Sequence, residues 1–333
     1  MVECRVKLVK VIRRLTFSHV QSRFNTLLVR MSGSTGNKNK PFWGNNILAV
    51  DKNQNPLSVE VSTTKEFNID QLACINPHFV SVTWLGNKYL ELPNLEAPAI
   101  LLAQKLIEAD LPVVLHLPGR NLSKDRLYEI LSILKEKGIR YILAIQGDWA
   151  HTVEKEDSKC DFPYASDLVL FIKDNFADQF CVGVAAYPNL HMRCQSLEED
   201  LKYLKQKIDN GAEFIITQAV FDYESLEKYA LACREAGIEV PIFPGIFFIK
   251  SHKSLVNMAK WCEFKVPGEI LSFVEANKDD AGLIRSYGFD LGNRLIRRIL
   301  ARGDLFAGVH IFSMNDVNFV ELVAQEYKTP ENA

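Results

Sequence analysis

The chain has no C-x-x-C pair. Its seven cysteines (Cys4, Cys74, Cys160, Cys181, Cys194, Cys233, Cys262) are odd in number and widely scattered. Neither a disulfide framework nor a zinc site is suggested, and a reducing compartment fits best, which argues against secretion. The seven histidines show no H-x-x-x-H or H-E-x-x-H spacing, so a protein-held metal is not indicated. No apolar run approaches the ~18 residues that a membrane-spanning helix needs; the longest greasy stretch, Val240 to Ile249, is broken by Pro241 and Pro244. Internal repeats and low-complexity segments are also missing. What is present is ordinary for a soluble globular protein: 47% hydrophobic and 24% charged residues with a mean hydropathy of -0.04, compositions that exclude disordered, collagenous and fibrous chains. The 333 residues are enough for about two average domains or for one (β/α) barrel of ~250 residues or more.

Acidic residues are scarce in one place. Residues 1–40 hold nine basic side chains (Arg5, Lys7, Lys10, Arg13, Arg14, Arg23, Arg30, Lys38, Lys40) against the single acid Glu3, although the whole chain carries a formal charge of -2. The remainder is therefore mildly acidic and offers no electrostatic case for nucleic acid. In the leader Val6, Leu8, Val9, Val11, Ile12 and Leu15 interleave with basic residues, and Ser18, Ser22, Ser32 and Ser34 follow. A mitochondrial transit peptide is built this way; a disordered basic tail on a cytosolic protein is the alternative. Asn37 to Lys40 is the expected boundary between a leader, 1–40, and a folded unit, 41–333.

From Gly44 onward β-branched runs alternate with amphipathic stretches. Strands are expected at Leu57 to Val61, Phe79 to Thr83, Val113 to Leu117, Tyr141 to Gln146, Cys181 to Ala186, Phe214 to Gln218, Val240 to Gly245 and Gly308 to Phe312. Helices are expected at Ala97 to Ala109, Lys124 to Lys137, Ala165 to Asn175, Leu197 to Asn210, Tyr223 to Ala236 and Ser251 to Cys262, with a longer pair from Gly268 to Arg302 and one more from Asp316. In the helix from Leu197, Ser196 and Glu199 form a capping box, Leu197, Leu201, Leu204 and Ile208 recur at helical spacing, and Gly211 closes the end. Eight strand–helix alternations imply an α/β fold with an all-parallel sheet closed into a (β/α)8 TIM barrel. The competing open, doubly wound sheet lacks a G-x-G-x-x-G after its first strand.

Barrel enzymes assemble their sites at the C-terminal ends of the strands. Those ends here carry Glu60, Thr83, His116, Gln146 with Asp148, Tyr187, Gln218, Gly245, and Phe312 with Asn315. A ring of hydrogen-bonding groups on core-forming strands is more than packing requires, although any one member can be a satisfied structural group. A buried carboxyl at Glu60 would have a raised pKa and can act as a general acid; a barrel-mouth ion pair is the structural alternative. His116 taken singly reads as a hydrogen-bonded core histidine, and Asp148, after Gly147, as a turn aspartate beside a glycine that lets backbone approach a ligand. Asp200 and Lys207 lie seven residues apart on one stripe of a helix, adjoining its apolar face; taken as isolated charges they read as a solvated face, and a ribose hydroxyl and a phosphate held between them is the alternative.

In order along the chain, the strings Leu57-Ser58-Val59-Glu60, Pro77 to Thr83, His116-Leu117, Gly138 to Ala144 leading to Gly147-Asp148, and Tyr164-Ala165-Ser166-Asp167 resemble one family. The likeness continues through Val184 to Pro188 with His191, Asp200 to Asp209 with Gly211-Ala212, Ile215 to Gln218, Pro244-Gly245-Ile246 and His310 to Asn315. The family is methylenetetrahydrofolate reductase, a flavin-dependent barrel of one-carbon and methionine metabolism, and the similarity covers roughly residues 46–325. The resemblance implies that NADPH or NADH reduces bound FAD and that methylenetetrahydrofolate then accepts the hydride. It makes Glu60 the general acid that opens the methylene-bridged ring to an iminium, Asp148 the acid between flavin and folate, and Gln218 a pterin-binding amide. Thr83, His116, Gln146, Gly147, Asp148, Tyr164, Ala165, Tyr187, His191, Asp200 and Lys207 match flavin-contacting positions, and Met258 and Phe312 match folate-side positions. A homo-oligomer is implied by analogy.

The chain departs from the family's pattern in several places. Val61-Ser62-Thr63-Thr64 replaces two aromatics and two prolines after Glu60, and Gln146 replaces an arginine before Gly-Asp. Tyr203 and Gln206 replace an asparagine and an arginine of bacterial members, Met258 an aromatic, and Phe312 a tyrosine. The chain ends soon after the barrel, so the S-adenosylmethionine-binding regulatory domain of longer eukaryotic members is not expected. Two other readings are a folate- or flavin-binding pseudoenzyme, motivated by these departures, and another flavin barrel of the proline dehydrogenase kind, which leaves the Glu60 and Gln218 strings unexplained.

Overall fold

The computed structural model describes residues 46–48, 56–85, 96–120, 122–147, 161–191, 194–262 and 264–327. The basic leader, its boundary at Asn37 to Lys40, and Asp148 lie outside the described residues. Eight parallel strands close in sequence order into a barrel: β1 (Leu57–Ser62), β2 (Val80–Thr83), β3 (Val113–Pro118), β4 (Tyr141–Ile145), β5 (Cys181–Ala186), β6 (Phe214–Ala219), β7 (Ile242–Ile246) and β8 (Val309–Phe312). Closure is made by β1 against β8, with Glu60 opposite Phe312. Among the described residues the helices are α1 (Ile69–Ile75), α2 (Pro98–Glu108), α3 (Lys124–Glu136), α4 (Ala165–Phe176), α5 (Leu197–Asp209), α6 (Tyr223–Glu235), α7 (His252–Trp261), α8 (Gly268–Ala276), α9 (Ala281–Leu300) and α10 (Val317–Gln325). No helix among them is long and apolar enough to cross a membrane.

Two phases of each strand face two different cores. Leu57, Val59 and Val61 of β1 belong, with Val80, Val82, Leu115 and Leu117, to the large cluster that contains the apolar stripes of the surrounding helices. The alternate phase points into the barrel. Toward the N-terminal ends of the strands it is filled by Phe79, Val114, Tyr141, Leu143, Phe214, Ile216 and Phe243, closed from below by Ile47. Phe79 packs edge-on to Phe243 at 5.2 Å. Gly183 is required here, because a Cβ at that position would lie 2.2 Å from the Phe214 ring.

The eight-stranded architecture agrees with the periodicity, and the differences have physical causes. Helix α1 was not expected: Ile69–Ile75 is only seven residues long, buries just Leu72 and Ile75, and is started by Asn68, whose side chain accepts from Gln71 N–H. The expected strand from Val240 begins at Ile242, since Pro241 has no N–H to give to the ladder. The long pair resolves into α8 and α9, the second started by Asp280, which accepts from Leu283 N–H at 2.9 Å. The capping box of α5 is only half formed. Ser196 Oγ accepts from Glu199 N–H at 3.2 Å, but Glu199 Oε2 accepts from Gln195 N–H at 2.8 Å rather than from Ser196. Gly211, at φ +107°, does close the helix: its N–H reaches Ile208 C=O and the next N–H reaches Lys207 C=O, a Schellman pattern.

Candidate functional site

Glu60 occupies the inward phase of β1, one step above Ser58. Burial drives its carboxyl up from 4.5 to about 7, and the Thr83 hydroxyl at the end of β2 opposes this only in part. His116, inward-facing on β3, brings Nε2 to 4.0 Å from Glu60 Oε2, too far for a hydrogen bond. Desolvation lowers the imidazole to about 4, so it is neutral at physiological pH. Below lies a polar layer in the barrel interior. His310 is fully buried on β8, with Nδ1 at 2.9 Å from Ser58 Oγ and Nε2 at 3.1 Å from Ser81 Oγ, and its ring stacks on Phe79 at 5.5 Å. Burial, aided by His116, lowers it to about 3. Resemblance had marked His310 only as part of a matching string. The missed signal was a polar residue at the inward phase of three strands, in Leu57-Ser58-Val59, Val80-Ser81-Val82 and Val309-His310-Ile311.

A second group forms where β5 meets α5. Two helical turns separate Asp200 from Lys207 and put both on one face. Asp200 is 6% exposed, so the solvated-face alternative fails. Lys207 Nζ donates to Ala185 C=O at 3.0 Å and lies 6.0 Å from the Tyr187 ring. Burial lowers the ammonium, with Asp200 holding it up; burial likewise raises Asp200, with Lys207 opposing. Asp200 Oδ1 accepts from the Cys194 thiol at 3.7 Å, while its buried Oδ2 has no hydrogen-bond partner. Tyr187 meets His191 edge-on at 4.4 Å and 79°.

Between these groups, Gln146 follows β4, where its Nε2 donates to Pro163 C=O at 2.6 Å. Gly147 is at φ +91°, and a Cβ there would sit 2.9 Å from Pro118. Tyr164, 65% exposed, precedes α4; its N–H donates to Asp167 Oδ2 at 3.0 Å, and Ala165 is the first helical residue.

On the far side of the mouth the ladder of β6 against β7 is irregular between Ile216 and Ala219, and Gln218 sits in that bulge, a device that re-aims side chains near barrel rims. Its Oε1 accepts from Ala219 N–H at 2.9 Å and its Nε2 reaches Cys262 C=O at 3.5 Å. Phe312 stands edge-on to His310 at 5.5 Å, against Gly245, where a Cβ would come within 2.5 Å of its ring. Met258 is 8% exposed on α7, within a cluster that includes Ala219, Phe221, Phe247 and Leu255. It is packed into that cluster more deeply than a stacking platform for a ligand requires. A separate cleft of about 360 Å³ between α7 and α8, lined by His252, Leu255, Val256, Leu271, Val274 and Glu275 among others, includes none of these residues. Among the described residues no group of three or more His, Cys, Asp or Glu is arranged to hold a metal ion.

Comparison with known proteins gives this geometry a family. A family model described as methylenetetrahydrofolate reductase matches residues 59–328. Methylenetetrahydrofolate reductase 1 of Schizosaccharomyces pombe is 34% identical over 252 residues, covering 75% of this chain and 40% of that protein. The 5,10-methylenetetrahydrofolate reductase of Pectobacterium carotovorum subsp. carotovorum is 32% identical over 267 residues, covering 80% of this chain and 84% of that one. The chain thus spans about two fifths of the length of the eukaryotic relatives it matches. Among solved structures, a Clostridium thermocellum protein described as binding two copies of 5-methyl-5,6,7,8-tetrahydrofolic acid superposes with a TM-score of 0.56 at 17% identity, covering 83% of this chain and 96% of that one. That likeness speaks to the fold alone. From the family match and the bacterial relative together, the chain belongs to the methylenetetrahydrofolate reductase family.

Proposed function

We propose that this chain reduces 5,10-methylenetetrahydrofolate to 5-methyltetrahydrofolate at the expense of NADPH or NADH, using bound FAD. The observation that carries the reading is Glu60, a carboxyl held by burial at about pKa 7 in the mouth of the barrel, where a general acid works best near the operating pH. Glu60 donates its proton to a nitrogen of the methylene bridge, the C–N bond breaks, and an iminium carbon is left ready to accept hydride. His116, neutral because buried, does not repel that cation. Asp148 is assigned the negative charge that favours it, and Gln218 and Phe312 the pterin side, with Met258 behind them.

The residues around β5 and α5 suit the cofactor. Asp200 keeps a buried oxygen without a partner and accepts a ribose hydroxyl, while Lys207, half-buried beside it, neutralises a pyrophosphate. Tyr187, His191 and Tyr164 offer ring faces and edges, Gly147 gives close backbone approach, and Thr83, Gln146 and Ala165 complete the wall. When bound, FAD supplies hydride transfer from the nicotinamide to the folate carbon.

The test is a visible spectrum of the purified protein with anaerobic addition of NADPH or NADH, then methylenetetrahydrofolate. Flavin absorbance that bleaches and then recovers is expected. In Glu60→Gln bleaching should persist while recovery with folate collapses. A protein that takes up no FAD, or a Glu60→Gln variant with unchanged folate turnover, would overturn the reading and favour a family member that binds without reducing.

A further inference from the structure

Strand β8 stops at Phe312, opposite Glu60, whereas β1 runs on to Ser62 with its remaining ladder partners, Val82 and Thr83, in β2. On the β8 side the backbone just beyond the acid has no strand to pair with. Two side chains from the turn after β8 fill that gap. Ser313 Oγ donates to Glu60 C=O at 2.5 Å and accepts from Asn315 N–H at 3.1 Å. Asn315 Oδ1 accepts from Ser62 N–H at 2.8 Å, and its Nδ2 donates to Ser62 C=O at 2.7 Å and to Lys65 C=O. The amide thus uses both donors and its acceptor on one short segment. Ser313 and Asn315 are 2% and 4% exposed. The turn needs positive φ at Met314 and Asn315, 54° and 59°, a region that asparagine tolerates better than most residues. Met314 is 47% exposed, so burial of its side chain does not hold the turn in place.

We propose that Ser313 and Asn315 are positioning residues for Glu60: they take over from the β8 ladder where it ends, fix the backbone from Glu60 to Lys65, and so set how deeply the Glu60 carboxyl sits in the barrel mouth. The proposal rests on the reading of Glu60 as the acid. Neither residue carries charge, so removing one changes the titration of Glu60 only through its position and hydration. Facing Glu60 from the elements packed on β1 and next to them are Thr83 on β2, His116 on β3 and, coupled to His116, His310 on β8; both imidazoles are neutral.

The experiment uses the full chain with its flavin bound and three variants. Ser313→Ala removes one bond; Asn315→Gly removes the amide but keeps a residue at ease with positive φ; Ser313→Thr restores a hydroxyl. The Glu60 carboxyl is titrated by infrared difference spectroscopy, assigned by its loss in Glu60→Gln, and both half-reactions are timed. The first two variants should titrate about one pH unit lower or more, toward the ordinary glutamate value, with folate-reducing kcat down about tenfold and folate KM nearly unchanged. Nicotinamide-driven bleaching should stay as in the wild type, and Ser313→Thr should recover. Unchanged carboxyl titration in both variants, or equal losses in both half-reactions that track the melting temperature, would overturn the proposal. If the titration shifts while Glu60→Gln still reduces folate, the positioning stands and the acid assignment fails.

Discussion

The floor and the mouth of the barrel are built on the same eight strands, yet they are opposite kinds of interior. The floor, from Ile47 through Phe79, Phe214 and Phe243, is apolar and filled to the point where Gly183 cannot carry a Cβ. The mouth holds His116 and Asp200, buried, and Glu60 and Lys207, partly buried, each with its charged form disfavoured by desolvation, and leaves Asp200 Oδ2 and His116 Nε2 without hydrogen bonds. Unmet polar capacity is costly in a protein interior, and at these two atoms the proposed cofactor and folate would meet it. The lesson is a division of labour along each strand: packing at the N-terminal end, chemistry at the C-terminal end.

The comparison breaks or sharpens under substitution. The largest effect is expected at the mouth, where Glu60→Gln should lower folate reduction by about 10²–10⁴-fold, the usual contribution of a general acid, with little loss of flavin. At the floor the converse holds: Phe243→Ala should cost about 3–5 kcal/mol of stability, read by denaturant unfolding, while the folded fraction keeps its flavin affinity. A floor substitution that stripped the flavin without loss of stability would erase the division.

The pH dependence separates the two ends further. Glu60 titrates at about 7 when folded against 4.5 in its ordinary state, so the folded chain keeps a proton that the unfolded chain loses between those values. Stability contributed by that proton is therefore full below pH 4.5 and falls as pH rises to 7, by up to about 3 kcal/mol at 1.36 kcal/mol per unit. His116 and His310, lowered to about 4 and about 3, act in the other direction, withdrawing stability as pH falls below 6.5. Glu60→Gln should match the wild type near pH 4.5 and exceed it above pH 7; equal unfolding curves at both ends would show that Glu60 is solvated. The smallest effect is expected at the layer between floor and mouth. Ser58→Ala leaves His310 Nδ1 without its 2.9 Å partner and should cost about 1–3 kcal/mol, with folate reduction retained in the folded enzyme.

Much of this was legible in the sequence. The strand positions followed from β-branched runs between capped amphipathic helices, and the place of Glu60 near the end of the first strand followed with them; the withdrawal of Asp200 and Lys207 from solvent did not, since their spacing reads equally as a solvated helix face. Helix α1 was not legible, because seven residues with two buried side chains carry too little periodicity. Nor was the half-formed cap of α5, where Glu199 prefers the N–H of Gln195; a reciprocal bond depends on loop geometry, which residue types do not encode.

What the sequence by itself determined is the set of parts: eight strands with an inward phase that turns polar at Ser58, Ser81 and His310, and a carboxyl near the end of the first. Period-two alternation and helical spacing are local properties, so they can be read without the fold. Only the tertiary structure decided which parts meet. Closure of β1 on β8 brings Ser313 and Asn315 to the backbone around Glu60 from some 250 residues away, and packing of α5 on the sheet buries Asp200 and half-buries Lys207 beside it. Ionisation follows from desolvation, which arises only when distant segments exclude water together.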